Sequence, residues 1–155
     1  MQANPPGLTA GKQLLMPSLL WLLTACPVML VGSYDQVTDE SIQKLQDQVS
    51  LVMVRIERNF DGGEPAANEY VHFRDHYEKM AASMLSLQNR CQAIPKYGIV
   101  CDQLSLLDSN LRNLEKYHKT GFRSREELAP IKMAFERQFG AMIALQNALK
   151  RKKNS

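Results

Sequence analysis

From Tyr70 to Cys91 the large side chains fall at Tyr70, Phe73, Tyr77, Met80, Met84, Leu87 and Cys91, alternately three and four residues apart. An α-helix returns residues at that spacing to one side, because 3.6 residues make a turn. A strand would instead repeat every second residue. The stripe has the form of a heptad seam, with Tyr and Met as bulky, adaptable knobs. A chain carrying it must find another apolar face to bury it against.

Three more stretches supply such faces. Ile42, Leu45, Val49, Val52, Ile56 and Phe60 form the first, with Thr38 as its expected N-cap and Asp39 and Glu40 complementing the helix dipole. Leu104, Leu107, Leu111, Leu114 and His118 form the third. Leu128, Ile131, Phe135, Phe139, Met142 and Leu145 form the fourth, after a Ser124–Glu127 capping box and with Pro130 close enough to the start to be tolerated. "DGGEPAA" (61–67), "AIPKYG" (93–98) and "KTGFR" (119–123) are the breakers between them. Short connections make sequential helices antiparallel neighbours, so the expected fold is all-α, an antiparallel four-helix bundle over residues 38–155. Phe122, Val54 and Ile143 are expected at the surface, where they could form a docking patch.

The amino terminus follows different rules. Leu14 to Leu23 is apolar except for Pro17 and Ser18, the length of a signal-peptide core and short of the ~20 residues that span a bilayer. Small residues Thr24 and Ala25 then precede Cys26. Leu23-Thr24-Ala25-Cys26 resembles the lipobox of bacterial lipoproteins, in which the cysteine sulfur takes a diacylglyceryl group and becomes the first residue of the mature chain. Residues 1–25 are then a signal peptide and 26–37 a lipidated tether. One alternative keeps 14–31 as an uncleaved single-pass anchor, although Pro17 and Pro27 would interrupt its backbone hydrogen bonds. Another makes the run a buried core helix.

Three cysteines leave one over after any pairing. Cys91 and Cys101 flank the second helical connection, where an antiparallel hairpin brings its arms together. Export would let them form a disulfide, leaving Cys26 for lipid. Glu69, His72 and His76 would share one face of a continuous second helix, which makes them a candidate metal site set against the simpler reading of a solvated face. His118 is expected to close the third helix as a dipole partner. The tail Lys150–Lys153 reads either as a solvated helix end or as a cluster that docks on anionic head groups, at about 1 kcal/mol per charge. The formal net charge of +3, with bases and acids interleaved, gives no nucleic-acid footprint. No phosphate loop, haem-attachment motif or nucleophile elbow occurs in the sequence, and no cofactor beyond the Cys26 lipid is expected.

"SYDQVTDESIQKLQ" (33–46) and the closing "LAPIKMAFERQFGAMIALQNALKRKK" are similar to a group of small bacterial lipoproteins. In these, Tyr-Asp and Thr-Asp pairs follow the acylated cysteine, here Tyr34-Asp35 and Thr38-Asp39. The resemblance covers most of the chain and brings no catalytic residues. It implies a lipid-anchored, helical protein of the bacterial envelope. Pro27 rather than an aspartate after the cysteine, again by resemblance, puts the outer membrane ahead of the inner. The expected role is that of a non-enzymatic periplasmic accessory or scaffold subunit with an envelope protein partner. The alternatives are a small-ligand or metal-binding bundle and a single-pass membrane subunit.

Overall fold

A computed structural model describes residues 32–154 and is helical throughout its ordered elements. The helices are α1 (Gln36–Asp61), α2 (Arg74–Ala93), α3 (Gly98–Thr120) and α4 (Leu128–Lys153). Among the described residues there is no strand, and no helix is long and apolar enough to cross a membrane. Cys26 and the apolar run 14–31 lie outside them.

Packing follows the four stripes. α1 lies against α2 and α4, α2 against α3, and α3 meets α4 over the shortest stretch. Asp35 at the start of α1 pairs with Arg90 at the end of α2, and Glu57 near the end of α1 pairs with Lys132 near the start of α4. Sequential helices are therefore antiparallel around a square. At 26 residues each, α1 and α4 are ~39 Å long. Every stripe residue of α1 from Ile42 to Ile56 and every one of α3 from Leu104 to His118 is buried. In α2 the buried set runs from Tyr77 to Cys91, and in α4 it includes Leu128, Phe135, Phe139, Met142 and Leu149. Phe60, Tyr70, Ile131 and Leu145 sit half-buried at the margins.

The helix ends depart from the sequence reading. Asp35, not Thr38, caps α1: its carboxylate accepts from the Thr38 amide at 2.9 Å and from the Thr38 hydroxyl at 2.6 Å. Of the segment expected as tether to residue 37, Gly32 is buried and bonded to the Lys96 carbonyl, Asp35 pairs with Arg90, and α1 already begins at Gln36. The second helix begins at Arg74, because Pro65–Asn68 and Tyr70–His72 form separate 3-10 turns. Their anchor is Asn68, whose amide donates to the Ile56 carbonyl at 3.1 Å while its oxygen accepts from Asn59 at 2.8 Å. The Ser124 capping box does not close; Glu127 instead accepts from the Arg123 amide at 2.9 Å. Phe122, expected outside, is buried against Tyr117 and His118. Val54 is exposed and Ile143 only partly so.

Candidate functional site

Two ends of the bundle carry polar chemistry. At the end distant from Gly32, the His118 ring is enclosed by Phe73, Tyr77 and Phe122, with ring centroids 4.8, 5.6 and 5.1 Å away. Its Nε2 lies 2.7 Å from the Asn68 carbonyl, which can only accept, so this nitrogen carries the proton. Nδ1 then accepts from the Tyr77 hydroxyl at 2.9 Å. Burial holds the imidazole pKa below its ordinary value, and the same effect pushes the Tyr77 phenol far up. His118 is therefore a neutral core group rather than a charged dipole partner: aromatic rings surround it and both nitrogens are spoken for. Outside this cage, Tyr70 donates to Glu115 at 2.6 Å and Lys119 pairs with the same carboxylate at 2.7 Å.

The same end separates Glu69, His72 and His76. Glu69 is extended between the two 3-10 turns, His72 ends the second turn in an exposed position, and His76 belongs to α2. Among the described residues no three His, Cys, Asp or Glu side chains come together as a metal-holding group. The expected shared face required one unbroken helix, and the turns at Pro65–His72 remove it. His76 Nε2 instead sits 2.5 Å from Arg55 Nη1, and the Arg55 guanidinium also lies over the Phe73 ring at 5.0 Å. Partial burial, followed by the nearby Arg55 charge, lowers the His76 pKa. The His76 Nε2 is thus engaged by Arg55.

At the opposite end the chain enters through Gly32. Its amide donates to the Lys96 carbonyl at 2.7 Å, and a Cβ here would fall 2.7 Å from the Pro95 oxygen, so only glycine passes. Lys96 is the one non-glycine residue with positive φ (61°) among the described residues. Asp35 receives two charge-assisted bonds from Arg90, at 2.6 and 2.7 Å. Those bonds, ahead of the ones from Thr38, hold its carboxyl well below the usual carboxylate range. Tyr34 donates to Asp39 at 2.9 Å, and its ring lies under Lys150 Nζ and Lys153 Nζ at 5.7 and 5.8 Å. Beside it a recess of about 220 Å³ has Tyr34, Pro95 and Leu149 as apolar walls and Lys96, Lys152 and Lys153 at its edge. The sequence singled out the basic tail but not this recess, since nothing local places Lys96 beside Lys152.

Cys91 and Cys101 are joined by a disulfide at this end, with Cα atoms 5.5 Å apart. It closes the connection that carries Pro95 and Lys96 and so fixes one wall of the recess. A second depression of about 420 Å³ opens between α3 and α4, lined by Leu114, Tyr117, Ile131 and Phe135 with Asn110, Asn113 and Glu127 around them. Compared with models of protein families, with curated proteins and with solved structures, the chain matches none.

Proposed function

We propose that this protein is a non-enzymatic, lipid-anchored component of the bacterial envelope, acting as an accessory or scaffold subunit on the periplasmic side. The observation that carries the reading is the short interval between Cys26 in its lipobox-like tetrapeptide and Gly32, where packing begins. A tether of residues 26–31 reaches at most ~20 Å. Acylation at Cys26 would hold the bundle against the membrane by the end that carries Tyr34, Lys96 and the α4 tail. Such a subunit works through its surfaces, and the internal polar groups at Asn68, Tyr77 and His118 serve the fold.

Intact mass spectrometry of protein from a bacterial membrane fraction tests this. The expected mass is that of residues 26–155 plus a diacylglyceryl group and a further acyl chain, less the two hydrogens of the disulfide. Cys26→Ser should abolish both processing and lipid. A wild-type chain that retains residues 1–25 would sink the lipoprotein reading in favour of a single-pass subunit.

The α3–α4 depression favours a second reading, a bundle that binds a small apolar molecule, because its volume and lining fall in the range of ligand sites. Ala134 lines it. Fluorescence enhancement of an apolar dye, lost in Ala134→Trp while the helical spectrum is kept, is the expected result. Equal enhancement in both proteins would remove that reading.

A further inference from the structure

We infer that the Gly32 end of the bundle is a docking face for anionic lipid head groups, with the recess beside Tyr34 receiving a head-group phosphate. The inference rests on the membrane-anchored reading above but not on whether the anchor is lipid or peptide. Four lysines drawn from two remote parts of the chain meet there: Lys96 from the α2–α3 connection, and Lys150, Lys152 and Lys153 from the end of α4. Of the acids near that end only Asp35 is neutralised, by Arg90. Asp39 and Glu40 keep their charge and hydrogen-bond to the neutral donors Tyr34, Gln43 and Gln36. Asp102, one turn into α3, is exposed. The four lysines outnumber these three acids, so the local balance stays basic, and no carboxylate is among the residues that line the recess.

Position decides between a solvated helix end and a docking face. The same end holds Gly32, six residues from Cys26, so an anchor at Cys26, or a span that runs to residue 31, keeps Gly32 and the end that carries these lysines within about 20 Å of the bilayer at the point of entry. The recess adds shape to charge: its Tyr34, Pro95 and Leu149 walls suit the glyceryl portion of a phospholipid, and its lysine edge suits the phosphate. Tyr34, with its ring under two ammonium groups and its hydroxyl bound to Asp39, fixes where those charges stand.

The test is lysine footprinting on the full chain, purified from bacterial membranes and reconstituted into vesicles. One set is phosphatidylcholine alone and the other contains phosphatidylglycerol as well. Acylation of Lys96, Lys150, Lys152 and Lys153 should fall about fivefold or more in the anionic vesicles, relative to Lys79 and Lys116 at the far end. High salt should restore it by shortening the screening length. The variant Lys150→Glu with Lys152→Glu and Lys153→Glu reverses the charge of the recess edge and of the two ammonium groups over Tyr34, at exposed positions of the helix end, and should lose the protection of Lys96. Equal labelling in the two vesicle types would overturn the inference, as would the same protection by inorganic phosphate without vesicles. Intact mass on the same samples reports the anchor separately: an unprocessed chain with protected lysines leaves the docking face standing and removes the lipid. A chain that associates with neither vesicle overturns both.

Discussion

His118 shows how a single residue can be placed by spacing and misread by chemistry. Its position at the end of the Leu104–Leu114 series marks it as buried, and it is. Its partners, however, come from Asn68, Phe73, Tyr77 and Phe122, on other segments, so periodicity within α3 could not show that the ring is neutral and enclosed. The consequence is a pH dependence of known sign. The folded pKa lies below the ordinary 6.5, so the unfolded chain takes up the proton first as pH falls. Stability should be full above about pH 6.5 and should decline below it until the folded ring is itself protonated. His76 is shifted the same way, so the comparison must be with His118→Gln, which keeps His76 intact. Urea unfolding across that range should give a clearly shallower slope in the variant, with about 2–3 kcal/mol lost at neutral pH from the unpaired Tyr77 hydroxyl and Asn68 carbonyl. Parallel pH profiles in the two proteins would show that His118 is not buried neutral.

At the scale of the element, the interiors of the helices were readable and their ends were not. Interior positions obey a local rule, the three-four alternation, and the residues from Ile42 to Ile56 and from Leu104 to Leu114 follow it into the core. Ends are decided by competition among residues that can all cap. Thr38 and Asp35 both suit an N-cap, and Arg90, 55 residues away from Asp35 in sequence, settles the choice by binding its carboxylate. The α2 start moved for the same kind of reason, since Asn68 ties the preceding turn to Ile56 and Asn59. The candidate metal set depended on that boundary, and among the described residues its three members do not come together as a group. The basic end was half legible: Lys150–Lys153 is a visible run, whereas Lys96 joins it only through the fold. Asp35→Ala removes both a cap and an ion pair that is partly exposed, and should cost about 2 kcal/mol, against about 1 for Asp35→Asn, which can still cap. Because the Asp35 carboxyl is depressed in the fold, this contribution is present above the ordinary 3.8 and disappears as pH falls below it. Equal melting temperatures for wild type and both variants would mean that α1 is capped some other way.

The molecule as a whole is stapled unevenly, and its dynamics should follow. α2 and α3 share a long interface and a disulfide separated by 10 residues in sequence, which in the chain-entropy model contributes roughly 2.5–3 kcal/mol. α4 has less to hold it. It rests chiefly on α1, meets α3 over a short stretch beside the 420 Å³ depression, and leaves Ile131 and Leu145 only partly covered. Gln138 in its middle donates no bond from its buried amide nitrogen to any described residue, although its oxygen accepts from Asn110. Regions with fewer buried contacts open first, so α4 should form the least protected of the four helices. Native-state hydrogen exchange should find amides of central α4, around Phe135–Met142, at least about tenfold less protected than those of central α2, around Met80–Leu87. The double variant Cys91→Ser with Cys101→Ser should lower protection in α2 and α3 and narrow that gap, while α4 opens as before. Should α4 and α2 exchange together in the wild type, the bundle opens as one unit and the α3–α4 seam is as strong as the others. That outcome would also mean that the depression beside the seam does not widen independently of the core, so any ligand there would have to fit it as it stands.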